Sequence, residues 1–219
     1  MAYQAPLSIH ADLGAAASVD SELLTWHASP QPGVERRMLE RDGAEVARAT
    51  SIVRYASDSH FPAHTHGGGE EFLVLAGVFS DEQGDYPTGT YVRNPPGSSH
   101  APFTRAGCTI LVKLRQMQAQ GEQQLVIDSK AMAWESSGAV ARKRLFSAAW
   151  GEQVDLERVA PGGKLPVDRG PIEIFLLDGS LEWAGKHCEK GLWLRLPNGL
   201  DQGLVSSQGC EYWVKRGHF

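Results

Sequence analysis

The most constraining feature of the chain is that it repeats itself. The segment "GCTILVKL", from Gly107, recurs as "GCEYWVKR", from Gly209, so Cys108 and Cys210 stand 102 positions apart (210 − 108 = 102). The same step carries Val112 to Val214, Lys113 to Lys215, "GTYVRNPPG" (89–97) to "GLWLRLPNG" (191–199), and Gly77 to Gly179. Upstream, "DSELLTW" and "DSKAMAW" align Trp26 with Trp134 at a longer step, so loop lengths differ while the order of segments is kept. A period this long marks a duplicated domain; solenoid units run to roughly 20–50 residues. The expected division is an N-terminal extension over 1–19, copies over 20–118 and 128–219, and a polar linker over 119–127, around "QAQGEQQ".

Each copy reads as strands. "EEFLVLAGVF" and "TILVKL" are short and rich in apolar and β-branched residues, and turns such as "DEQGDYPTG" and "NPPGSS" separate them. The 24 glycines and 12 prolines supply many reversals, and "SVDSELLTW" offers a helical turn or two at most. Two all-β domains of this size predict barrels or sandwiches. Net charge is -5 with scattered Lys and Arg, which argues against direct nucleic-acid binding. No run nears the roughly 18 apolar residues of a membrane span, and "MAYQAPLSIHADLGAAASV" does not read as a signal peptide. Cys108, Cys188 and Cys210 form no C-x-x-C pair, so a disulfide scaffold is not expected and a reduced cytoplasm is.

The first copy carries a cluster of titratable residues. His64 and His66 are two apart, which on a strand points both rings to one face. Gly67, Gly68 and Gly69 permit a tight reversal, and Glu70 then opens a strand whose face continues through Phe72, Val74 and Ala76. His100 follows the Pro95-Pro96-Gly97 turn. Three imidazoles and a carboxylate converging from different strands fit one divalent metal, which offsets the cost of desolvating them. His10, His27, His187 and His218 match no pattern and read as surface groups, and His60 as a loop residue. Glu71 either pairs with Arg93 or meets solvent; Trp26 and Trp134 read as core packing, and Cys108 as a buried structural cysteine.

These residues resemble the cupin signature, two spaced motifs of a metal-binding jelly roll. His64-x-His66, three residues, Glu70, six residues, Gly77 is the first motif; Gly89, five residues, Pro95-x-Gly97, two residues, His100 is the second. That spacing selects Glu70 over Glu71. Thr104 stands where the motif usually has Asn. The resemblance implies an all-β fold of two tandem cupin (double-stranded β-helix, jelly-roll) barrels. Over 20–118 the chain resembles the cupin domain of ChrR-type anti-sigma factors, which binds zinc and serves sensing of photo-oxidative stress. The same subgroup is similar to dihydroxyacetophenone dioxygenases, which use iron. The His-x-x-x-Cys-x-x-Cys motif of an anti-sigma domain does not occur in the chain, so the expectation is a sensor half alone or a relative with another task.

In the second copy "KLPVDRGPIEIFLLDG" answers "HFPAHTHGGGEEFLVLAG" with two residues fewer between proline and glycine. Asp168 and Gly170 fall opposite the histidines, Ile172 opposite Glu70 and Gln202 opposite His100, so this barrel is expected to be free of metal and to stabilise, dimerise or hold an organic ligand. Two functions follow from the resemblance. One is a zinc sensor with a regulatory protein partner; the other is an iron-dependent dioxygenase acting on an aromatic ketone or diketone, with manganese or nickel as further metals. Zinc in the first barrel and a homodimer are the expected cofactor and assembly. Tetrahedral zinc would be closed by four protein ligands, whereas a six-coordinate metal would keep two positions open.

Overall fold

The computed structural model describes residues 8–44, 46–117 and 123–219. Among them the chain is strands and turns, with two short 3-10 segments, Ser21–Leu23 and Ser129–Ala131. No helix among the described residues is long and apolar enough to cross a membrane. Two compact units form, Met1–Ala11 with Leu24–Lys130, and Asp12–Leu23 with Ala131–Phe219.

In the first unit the main sheet runs Ser8–Ile9, Val34–Asp42, Arg48–Tyr55, Cys108–Leu114, Glu70–Asp81, Thr90–Asn94, Leu125–Asp128, each strand antiparallel to its neighbours. In the second it runs Glu135–Ser137, Val140–Ser147, Gln153–Val159, Cys210–Arg216, Ile172–Trp183, Leu192–Leu196, Ala17–Asp20, again antiparallel throughout. From the second strand onward the two orders correspond place by place, which is the jelly-roll duplication expected from the repeat.

The last strand in each sheet has a physical reason. Thr90–Asn94 and Leu192–Leu196 are buried at every residue, so their outward main-chain groups need a partner. Leu125–Asp128 supplies it in the first unit and Ala17–Asp20 in the second. Residues 17–19, expected in an extension, and 125–127, expected in a linker, are therefore sheet strands. The linker stretch 119–122 lies outside the described residues.

Alternation places Phe72, Val74, Val92, Ile110 and Val112 inside the first barrel with Phe79 and Tyr86. Phe72 and Phe79 pack with ring centroids 4.7 Å apart. Gly77 and Gly179 occupy the same bend of the long strand with φ of 73 and 76. A Cβ on either would sit 2.1 Å from the carbonyl oxygen of Gly107 or Gly209, so both positions demand glycine. Trp26 and Trp134, expected in the core, are instead half-buried. Arg37 and Arg54 stack on Trp26 at 4.4 and 4.2 Å, and Lys143 and Arg158 on Trp134, both at 4.4 Å. Cation–π stacking explains their recurrence.

Candidate metal centre

Short strand pairings build the site. His64–Thr65 pairs with Ser99–His100 so that His64 lies directly across from His100. The proline turn grips the next histidine by its main chain. The His66 N–H donates to Ser98 O at 2.9 Å, and the Gly97 N–H donates to His66 O at 2.9 Å. Glu70 opens its strand opposite Leu114 on one side and Asn94 on the other.

The result is a compact constellation. The ring centroids of His64, His66 and His100 lie 4.9, 5.0 and 4.7 Å apart. One ligand atom from each of His64, His66, Glu70 and His100 falls within 4.8 Å of the others. The structure thus brings together all four residues expected from the spacing. The buried Nε2 atoms of His66 and His100 have no hydrogen-bond partner; Glu70 Oε2 stands 3.6 and 3.5 Å from them. Leaving such groups unpaired costs about 1–3 kcal/mol each. A divalent cation among them removes that cost, so the donor set fits a metal.

A second set of contacts fixes how the rings present themselves. His64 Nδ1–H donates to Pro62 O at 3.0 Å, leaving Nε2 for a ligand bond. His100 Nδ1–H donates to Asp81 Oδ2 at 3.1 Å. The other Asp81 oxygen accepts from Tyr86 O–H at 2.9 Å and the Gln83 N–H at 2.8 Å. Asn94 donates to Glu70 Oε2 at 3.1 Å, while its own oxygen accepts from Gln124 at 2.8 Å. Acceptors behind the two rings orient them and raise their basicity, and the Asn94 donor orients the Glu70 carboxylate. Burial pushes the Asp81 carboxyl up, but the bonds from His100, Gln83 and Tyr86 outweigh it and hold it below its usual range. Burial holds the His66 imidazole down, the Glu70 charge opposing and the neighbouring imidazoles adding to it. Burial also pushes His100 down, yet Asp81 and Glu70 more than offset that and raise it.

A cavity of about 530 Å³ opens directly on this cluster, with His64, His66 and Glu70 in its lining. Its walls include Val53, Phe61, Ile110 and Val112, and its polar groups include Tyr55, Arg36 and Arg115. Burial, then the Glu70 charge, holds the Tyr55 phenol well above its usual range, so it stays a donor at neutral pH.

Asp81, Asn94 and Tyr55 were not marked by the motif. Asp81 sits in what reads as a turn, "SDEQGD". The one signal for it is its place eleven residues after Glu70 on a strand long enough to reach His100 from behind. Glu71 settles on Arg93, both buried, at 3.1 Å. His60 lies outside the cluster and stacks on Phe103 at 5.8 Å. His218, expected at the surface, is buried and bonded to Glu173 at 2.9 Å; burial of that glutamate calls for a donor. Cys108 is buried as expected, its thiol pushed up to about 11 by burial.

The second unit solves the same mouth differently. Strand register matches Val53, Tyr55, Ile110, Val112 and Leu114 of the cavity wall to Glu157, Val159, Tyr212, Val214 and Arg216. The Arg216 guanidinium donates to Asp168, to Asp155 at 3.2 Å and to Glu157 at 3.2 Å. Tyr212 O–H donates to Glu157 at 2.6 Å. Asp168 is the residue opposite His64, so a protein cation pairs with the position that in the first unit carries a candidate metal ligand. Ile172 is buried in the core and Gln202 is exposed.

Known structures with this architecture are numerous. A candidate dioxygenase from Nostoc punctiforme superposes with a TM-score of 0.74 at 15% identity, covering 94% of this chain and 83% of its own. The bacterial pirin YhhW from Escherichia coli, solved with nickel(II), gives a TM-score of 0.69 at 9% identity, covering 92% and 98%. AerE from Microcystis aeruginosa gives 0.63 at 14% identity, covering 88% and 96%. At these identities the likeness is one of fold. Among curated proteins none matches the sequence significantly. The family model for the ChrR cupin-like domain matches twice, over residues 15–118 and 122–219. With both barrels matched and the donor set in the first, this chain belongs to the ChrR cupin-like family.

Proposed function

We propose that the first unit is a metal-dependent oxygenase site for a small organic substrate, an aromatic ketone or diketone, and that its metal is iron, manganese or nickel. The observation that carries this reading is the cavity of about 530 Å³ lined by three of the four candidate ligands. A volume in this range suits a small molecule, whereas a sealed structural ion needs no such space. A bound metal would supply Lewis-acid and redox chemistry at two remaining coordination positions. The chain's own residues do the rest. Asp81 holds the His100 proton on Nδ1, Tyr55 offers a hydroxyl to a bound ligand, and the apolar walls exclude water. The candidate dioxygenase among the structural neighbours lends support at the level of fold.

The family match favours a second reading, a zinc-holding regulatory protein that signals to a protein partner. The free cysteines, two of them buried, suit a reducing cytoplasm in either case. Elemental analysis of protein purified without added metal, followed by oxygen-uptake assays with aromatic ketones and diketones, separates the two. Stoichiometric iron, manganese or nickel with uptake lost in His100→Ala is the expected result. Tightly held zinc with no uptake on any substrate would overturn the oxygenase reading in favour of the regulatory one.

A further inference from the structure

Arg115 follows the strand Cys108–Leu114 in a backbone conformation, φ 57, that L residues seldom adopt. Its counterpart in the second unit is Gly217, with φ 65. The two make the same main-chain bond: Arg115 N–H to Gly69 O at 2.9 Å, and Gly217 N–H to Pro171 O at 3.1 Å. The fold therefore calls for glycine at this corner, and the first unit carries an arginine there despite the backbone cost. Strain of this kind, held by its surroundings, points to a use.

The surroundings are shaped to hold it. A Cβ on Gly68 would lie 2.8 Å from the Cα of Arg115, and one on Gly67 would lie 3.0 Å from its Nη2. These glycines belong to the loop that is two residues longer in the first copy than in the second. The arginine, the glycine run that admits it and the metal-ligand set thus occur in the same copy and are missing together from the other. Arg115 is exposed and lines the cavity. Among the described residues no carboxylate pairs with its guanidinium. Among the described residues the cavity lining holds one carboxylate, Glu70, which faces the imidazoles, and two guanidinium groups, those of Arg36 and Arg115. The rest of the wall is largely apolar and includes Phe61 and Ile110.

We propose that Arg115 selects the ligand of this cavity by charge, binding the carboxylate of a small aromatic acid whose opposite, oxygen-bearing end faces the metal ligands. The inference rests on the reading of the first unit as a metal site with an organic ligand above it. A planar guanidinium suits bidentate recognition of a carboxylate.

The test uses the full chain loaded with zinc, which binds without turnover, and isothermal titration with two probes of matched shape. One is 4-acetylbenzoate; the other is the neutral 4'-methylacetophenone. The wild type should prefer the acid. Arg115→Gly should weaken the acid by about tenfold to a hundredfold, as expected for loss of a charged hydrogen-bond pair. It should leave the neutral ketone unchanged and should not lower the melting temperature, because glycine is the residue the fold accepts there. Arg115→Lys should recover part of the lost affinity. Unchanged acid binding in Arg115→Gly, an equal loss for both probes, or a fall in melting temperature would each overturn the assignment of Arg115 alone. Failure of both probes to bind the wild type would remove the metal-cavity reading itself and this inference with it.

Discussion

Replacing Asp81 with asparagine tests whether the hydrogen bond behind His100 sets its ability to hold a metal. The aspartate accepts three donors: Tyr86 O–H and the Gln83 N–H on one oxygen, and His100 Nδ1–H on the other. An asparagine has one oxygen and one NH₂ group. Keeping the oxygen toward Tyr86 and Gln83 retains two bonds and turns the NH₂ toward His100. His100 Nδ1 must then accept, which moves its proton to Nε2, the atom that faces Glu70 and the other rings. A metal can bind only by forcing the ring back, against a lost bond of about 1.5–3 kcal/mol for a charged acceptor. The expected weakening is thus about 10- to 100-fold in metal affinity, in line with the usual effect of such partners. Competition with a chelator of known affinity measures it, and nitrogen chemical shifts of His100 in the metal-free protein report the tautomer. An Asp81→Asn variant that binds within about threefold of wild type, with Nε2 of His100 unprotonated, would refute the reasoning.

Two further substitutions probe the fold that carries the site. Arg216→Leu removes the one cation shared by Asp155, Glu157 and Asp168, while Arg142 and Arg144 still pair with Asp155 and Glu157; losing its charged hydrogen bonds should cost about 1.5–3 kcal/mol. Calorimetry should show a drop of roughly 3–12 °C for a chain of this size, with metal stoichiometry unchanged if the first unit holds the metal alone. Gly77→Ala places a Cβ against the Gly107 carbonyl at 2.1 Å and should lower both folded yield and metal content, whereas alanine at Gly84, with nothing within 4 Å of its Cβ, should leave metal content alone.

The four candidate ligands were legible because the barrel converts spacing into geometry. One pairing sets His64 across from His100, and Glu70 begins a strand whose inner face continues as Phe72 and Val74, so position along the chain predicts position in space. The partners behind them were not legible in the same way. Asp81 reads as a turn residue because it ends a strand, and only the reach of a twelve-residue strand places it behind His100. His218 shows the limit from the other side. A histidine next to the last residue has no periodic signal, and its burial follows from Glu173, a partner 45 positions earlier. The strands 17–20 and 125–128 were missed because their requirement lies elsewhere, in the unpaired edges of buried neighbours.

The two copies differ in where the positive charge at the barrel mouth comes from, and this has a consequence for stability. In the second unit Arg216 is covalently part of the chain, so the carboxylates around it are neutralised at any metal concentration. In the first unit the buried Nε2 atoms of His66 and His100 have no hydrogen-bond partner, and on the proposed reading an external ion would supply one. Their satisfaction scales with metal activity, and an ion at a hundred times its dissociation constant adds about 2.7 kcal/mol. On the proposed reading, duplication leaves one copy whose folding is linked to metal and one whose mouth carboxylates are paired by the chain itself. The second unit also carries larger polar side chains at two positions of the wall, Arg216 where the first has Leu114 and Tyr212 where it has Ile110. On the proposed reading, the first copy, with Leu114 and Ile110 at these positions, is the one that takes an exchangeable ion and leaves room for chemistry.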